Sequence, residues 1–156
     1  MQPPTDLTEP ASLHRDRKTL QIIALAVCLG VVAISMALAG LVAAGGGLDL
    51  LTPDPAFYIA AALSIASILA GFAVQRRLAD TLLPAANGYV GALYAIKTNT
   101  IVSFGAMEAG AIGAALMGFL SSTLAPFAFV LPFFAFALMF FPTEGRFRYW
   151  LASASL

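Results

Sequence analysis

The sequence predicts an all-α integral membrane protein, a bundle of four membrane-spanning helices with both termini on the cytoplasmic side. Three observations carry that expectation. The 156-residue chain is 60% hydrophobic and 10% charged, with a mean hydropathy of +0.90, whereas a soluble domain is about 45–50% apolar and about 25% charged. Four apolar stretches approach the roughly 20 residues that a helix needs to cross about 30 Å of hydrocarbon. Every lysine and arginine falls on one side of the resulting four-span arrangement.

The first span, about residues 19–44, opens at Thr19 and runs uncharged to Ala44. Its length of about 26 residues exceeds the 7–15 of a signal-peptide core and reads as a membrane anchor. Gly45-Gly46-Gly47 ends it, because consecutive glycines favour no regular structure. Pro53 and Pro55 bracket Asp54 ahead of the second span, about 56–74, a favourable helix start. Asn87-Gly88 marks a turn before the third span, about 98–122. Ser121-Ser122-Thr123 and Pro126 make so short a link that the third span and the fourth, about 124–141, should be antiparallel neighbours, with Pro132 bending the fourth. Backbone groups in lipid must be satisfied within their own segment, so each span reads as helix. The expected organisation is a polar cytoplasmic tail (1–18), a membrane domain (19–142) and a cytoplasmic interfacial tail (143–156).

Orientation follows from charge. Arg15, Arg17 and Lys18 precede the first span; Arg76, Arg77 and Lys97 lie between the second and third; Arg146 and Arg148 follow the fourth. The opposite loops carry only Asp49 and Asp54. The positive-inside rule makes the basic side cytoplasmic and the location a plasma or bacterial inner membrane. Tyr58, Tyr94, Tyr149 and Trp150 fall at span ends, where amphipathic rings favour the headgroup layer. The run Arg146–Leu151 interleaves basic and aromatic residues, as an anchor on anionic lipid does.

Composition also excludes functions. A net charge of zero leaves no basic face for nucleic acid. One cysteine, Cys28, and one histidine, His14, cannot build a disulfide, a zinc site or a histidine-based centre within one chain. Cys28 reads as a small buried hydrophobe. No phosphate-binding loop, nucleophile elbow, cofactor motif or second carboxylate accompanies Glu108, so no catalytic activity is expected. The expected partners are the lipid bilayer and either further copies of the chain or a larger membrane complex; no small-molecule substrate is identifiable.

Glu108 is the one acid inside a span. It lies eleven residues beyond Lys97, roughly 16 Å along a helix and near the bilayer middle. Lys97 is three turns away and cannot pair with it. The carboxyl must be protonated, or partnered by another helix or a bound ion. An acid at that depth costs at least about 2–3 kcal/mol and marks function by default. Its helical face holds Ile101, Phe104, Gly105, Ala111, Ile112 and Ala115. Gly105, Ala109 and Gly113 form one ridge of small residues and Gly110, Ala114 and Gly118 another, both suited to close helix packing. Ser35 on the first span, and Ser64 and Ser67 on the second, are candidate hydrogen-bond partners of the carboxyl.

The run from Glu108 to Leu116 resembles the carboxylate-bearing helix of rotary-ATPase proteolipid subunits, and the second span, Gln75-Arg76-Arg77 and the Glu108 span echo the hairpin of that family. The resemblance implies a glutamate that binds a transported proton or sodium ion. The connection from Gln75 to Lys97 is longer than the polar turn of those proteins, and alanine and serine stand where their partner helix alternates glycine. The Glu108 span and the ending Phe141-Pro142-Thr143 also resemble a group of uncharacterised small bacterial four-helix membrane proteins, a likeness that implies no activity. Two functions are therefore expected. The first is a structural or interaction subunit of a membrane complex, with neutral Glu108 as an interhelical hydrogen bond; the alternative is a proton- or cation-coupling subunit that uses Glu108.

Overall fold

Turn chemistry and small side chains decide where each helix ends and which helices touch. The computed structural model describes residues 11–86 and 88–152, and these are helical without strands. Five α-helices follow in order: α1 (Ala11–Ala43), α2 (Pro53–Arg77), α3 (Gly88–Leu120), α4 (Leu131–Phe140) and α5 (Glu144–Ala152). A π-helical turn, Leu78–Leu82, extends α2, and a 3-10 segment, Ala125–Val130, leads into α4.

α1 stops at a glycine. Gly45 takes a φ of +79°, its N–H donates to the Val42 carbonyl (3.0 Å) and the Gly46 N–H donates to Leu41 (2.8 Å). These paired bonds close a helix over one left-handed residue, a conformation that costs glycine nothing. α3 closes in the same way over Ser122 (φ 52°), with the Thr123 N–H donating to Gly118 (3.0 Å) and the Ser122 N–H to Phe119 (3.4 Å). The two closures lie together. Leu48 and Leu50 donate their N–H groups to the Phe119 and Leu120 carbonyls (3.1 and 2.8 Å), and the Asp49 N–H donates to Ser122 Oγ (3.1 Å). The α1–α2 and α3–α4 links thus share one end of the molecule.

The opposite end gathers the charges. Lys97 pairs with Asp16 (2.7 Å), Arg17 with Glu144 (3.0 Å), and Gln21 Nε2 donates to the Pro142 carbonyl (2.9 Å). Beneath them Leu20, Leu78, Leu83, Ile96, Phe147 and Trp150 form an apolar cluster. The start of α1, the α2–α3 connection and α5 all meet here, and with them all eight basic residues.

Between the ends, α3 is the helix on which the others pack. α2 covers it most extensively and α1 next, while α1 and α2 barely meet. The ridge Gly110, Ala114 and Gly118 is buried. A Cβ on Gly110 would collide with the Ser67 side chain and lie 3.1 Å from the Leu63 carbonyl; one on Gly118 would collide with the Phe127 ring. The second ridge divides. Gly113 meets Leu63, but Gly105 and Ala109 are exposed, and no heavy atom lies within 4 Å of a Cβ on Gly105. Their expected packing role is not met inside this chain, because α1 stands off from α3 at this level.

The outer surfaces are apolar. The buried apolar side chains of α1 form one stripe, Leu20, Ala24, Val31 and Val42, while Leu25, Leu29 and Met36 (70% exposed) face outward. Three helices are long and apolar enough to cross a membrane. A fourth crossing is available only if Ala125–Phe140 and α5, joined at a 65° bend, count as one unit. The six residues of the 3-10 segment and the ten of α4 rise about 2.0 and 1.5 Å each, roughly 27 Å together and close to the hydrocarbon thickness.

Several boundaries differ from the sequence expectation. α1 already runs from Ala11 and α3 from Gly88, so polar stretches read as tail and loop are helical; residues 1–10, Asn87 and residues 153–156 lie outside the described ones. Pro132 occupies the first turn of α4, where a missing N–H interrupts nothing. The sharp bend falls instead at Phe141-Pro142-Thr143, after which Thr143 Oγ1 accepts from the Arg146 N–H (3.4 Å) and starts α5. Trp150 packs inward in the apolar cluster, whereas Tyr149 is exposed.

Overpacking the close contact should be costly. Gly110→Ile is expected to lower stability by about 1–3 kcal/mol, and Gly105→Ala to change it by less than about 0.5 kcal/mol. Thermal unfolding of the detergent-purified protein measures both.

Candidate functional site

Glu108 stands in the middle of the apolar stretch of α3, half-buried, with its carboxyl directed toward α1. A Cβ built on Gly30 would lie 4.0 Å from Glu108 Oε1, an ordinary van der Waals distance, so the carboxyl lies beside α1 at Gly30. Cys28, half-buried, lies within electrostatic range of the same carboxyl. Because α1 stands off here, a cleft of about 100 Å³ opens between the helices, lined by Ala24 and Val27 of α1 and by Thr100, Phe104, Gly105 and Glu108 of α3. One water needs about 10–15 Å³ measured this way, so the volume would admit several, although Ile23, Ile101 and the other lining residues besides Glu108 and Thr100 make its wall apolar.

Two polar residues of the lining, Glu108 and Thr100, have no internal partner among the described residues. Glu108 makes no hydrogen bond or ion pair among the described residues. Thr100 is 2% exposed and its Oγ1 is likewise unpaired among them. The two residues stand eight positions apart, about 12 Å along the helix. Nearly all buried polar groups in folded proteins are paired, and the Thr100 hydroxyl, closed to solvent, is an exception among the described residues.

None of the three candidate serines reaches the carboxyl. Ser64 Oγ donates to the Phe129 carbonyl (3.2 Å) and Ser67 Oγ to the Ser64 carbonyl (2.9 Å), both among the contacts of α2 rather than in the cleft. Ser35 Oγ is buried and unpaired among the described residues, five positions along α1 from Gly30. Of the small residues, only Gly105 joins Glu108 in the cleft lining, while Gly110, Ala114 and Gly118 serve packing on the α2 side.

A polar layer that the sequence reading passed over lies between Glu108 and the basic end. Gln75 Nε2 donates to Ser103 Oγ (2.8 Å), and Ser103 Oγ donates to the Thr100 carbonyl (3.0 Å), all three residues being buried. Asn99, 5% exposed, joins this layer with an unpaired Nδ2. The signal was present: Thr98-Asn99-Thr100 opens an otherwise apolar helix, with Ser103 one turn further on.

Chemically, a carboxyl with adjoining space for water can take up and release a proton. Holding a hard cation requires several oxygen ligands, and no oxygen of the described side chains bonds to or pairs with Glu108. No group of three or more His, Cys, Asp or Glu among the described residues could hold a metal ion. No protein-family model, curated protein or solved structure matches the chain.

Two polar positions of this layer, Gln75 and Thr100, should respond differently to removal. Gln75→Leu discards a buried hydrogen bond and is expected to cost about 1 kcal/mol. Thr100→Val removes a hydroxyl that has no partner and should be neutral or stabilising, within about 1 kcal/mol. Equilibrium unfolding in micelles compares them.

Proposed function

We propose that this chain is a small membrane subunit in which Glu108 takes up and releases a proton. It crosses the bilayer four times, with the bent fourth segment as the last crossing and both ends cytoplasmic. The charge distribution supports this orientation, since all eight basic residues gather at the end that holds the chain start and α5. The observation that carries the functional reading is the cleft. Glu108 has no partner within the described chain, yet it borders a space large enough for several waters, which runs from the carboxyl toward the cytoplasmic end at Thr100. A structural hydrogen bond inside the bundle would have engaged the carboxyl. An acid at mid-membrane that costs about 2–3 kcal/mol or more without such a bond is explained by use. A proton fits better than a cation, because the cleft supplies no second acid and no cluster of oxygens. The likeness of the Glu108 helix to rotary-ATPase proteolipids agrees with this reading.

One observation favours the reading that the sequence ranked first, a structural or interaction subunit. Gly105 and Ala109 flank Glu108 on the outside of the chain, where small residues admit another helix closely. There the carboxyl would serve as the hydrogen bond to a partner helix, an interaction of about 0.6–2 kcal/mol.

Carbodiimide separates the two. In proteoliposomes, labelling of Glu108, read by peptide mass, is expected to fall as pH rises and to vanish in Glu108→Gln. Absence of labelling at every pH would overturn the proton reading. The contact reading instead expects Ala109→Leu to reduce the mass of the native assembly, and it fails if that mass is unchanged.

A further inference from the structure

We propose that a second cavity, between the end of α2 and the first half of α3, binds the phosphodiester headgroup of one anionic phospholipid from the cytoplasmic leaflet. The inference goes beyond the role of Glu108 and rests only on the membrane orientation proposed above. The cavity measures about 330 Å³ and lies on the flank of α3 turned toward α2. Arg77, Tyr94, Thr98 and Asn99 supply its polar lining, and Leu82 and Val102 are among the apolar residues that complete it. No acid lines it.

Two independent observations call for an acceptor at this place. Arg76 is held by Asp80 at 3.1 Å, whereas Arg77 makes no ion pair or hydrogen bond among the described residues. Asn99 is 5% exposed, and its Nδ2 finds no acceptor among them. A buried amide donor is costly to leave unmade, and a free guanidinium prefers a planar oxyanion that accepts two of its N–H groups. A phosphodiester in the cavity can accept from the Arg77 guanidinium, and Thr98 and the Asn99 side chain stand in the same lining. The π-helical turn Leu78–Leu82 contributes to the site by carrying Leu82 into its wall; such wider turns occur often at functional sites.

Depth agrees with a lipid rather than a soluble anion. Asn99 lies nine residues before Glu108, about 14 Å along α3. With Glu108 at the centre of a hydrocarbon layer about 30 Å thick, the cavity sits at its cytoplasmic boundary. Tyr94, 72% exposed, occupies the interfacial level, and Val102 lies about two helical turns deeper, where the acyl carbons run. Basic pockets between membrane helices on this side of a bilayer suit anionic headgroups. A choline or ethanolamine headgroup would place its cation in a lining without a carboxylate to receive it.

Native mass spectrometry of the full chain, released from micelles doped with phosphatidylglycerol or phosphatidylcholine, tests the site. One phosphatidylglycerol per chain is expected to be retained, and phosphatidylcholine is not. Arg77→Gln should reduce retention by about fivefold, the effect of one interfacial cation, and Asn99→Leu should reduce it as well. Arg76→Gln, an equal change in charge at the neighbouring position, should leave it intact. Equal retention of the two lipids overturns the proposal, as does an unchanged Arg77→Gln. Equal loss in Arg76→Gln and Arg77→Gln would reveal diffuse surface attraction instead of a site. Displacement of the lipid by millimolar inorganic phosphate would mark a soluble anion as the ligand and overturn the lipid assignment.

Discussion

The hydroxyl of Ser67 fills the space that a side chain at position 110 would need, and this contact fixes how α2 and α3 lie together. Between apolar helices in lipid the hydrophobic effect supplies no attraction, so association depends on how closely backbones approach. Gly110 and Gly118 allow that approach, and the larger side chains Leu63 and Phe127 settle against α3 beside them. α3 thereby becomes the common wall of the molecule, with one flank sealed by α2 and by the 3-10 segment.

The other flank is built on a different plan. α1 is fastened at its two ends and also packs between them, where Ala24 and Val31 are fully buried. At the basic end Asp16 and Arg17 hold it to Lys97 and Glu144, and Leu20 enters the apolar cluster. At the far end the chain leaving α1 hydrogen-bonds to the last carbonyls of α3. Exposed ion pairs contribute only about 0–1 kcal/mol each, but the Arg17 side chain is 10% exposed and that of Asp16 20%, so these pairs set position more firmly than surface pairs do. Between the two fastenings, Ala24 and Val31 share one core cluster with Phe104 and Ala115 of α3, and the cleft opens beside Val27, Gly105 and Glu108. The cleft beside Glu108 is a local gap in that packing.

Much of this was legible in the sequence, because membrane helices declare themselves through composition. The apolar runs, the glycine stop after α1 and the common placement of basic residues all have local causes. The ends of the polar segments were not legible in the same way. Residues 88–97 are helical because Ala92 and Ile96 pack into the cluster that α5 completes, a tertiary contact between segments far apart in the chain. Trp150 turned inward for the same reason. The fourth segment misled through its prolines: Pro132 looks like a kink when read as mid-helix, but the preceding residues wind as a 3-10 segment, which moves it to a helix start. At the site, depth and small neighbours singled out Glu108. They could not choose among the serines, since rotation of α1 and α2 about their axes decides which hydroxyls face α3.

The unpaired polar groups tie the two flanks together. Asn99 and Thr100 are adjacent in sequence, and successive residues on a helix point about 100° apart, so one borders the cavity toward α2 and the other the cleft toward α1. Ser103 links to both sides of this arrangement: it accepts from Gln75 of α2 and donates to the Thr100 carbonyl. A rigid, apolar α3 would need none of these groups, and each one left unpaired lowers stability by about 1–3 kcal/mol. They are concentrated in two turns on the basic side of Glu108, while the rest of the buried face of α3 is apolar. They stand on the two flanks of α3 that border the cavity and the cleft, with Glu108 at the end of the cleft away from Thr100.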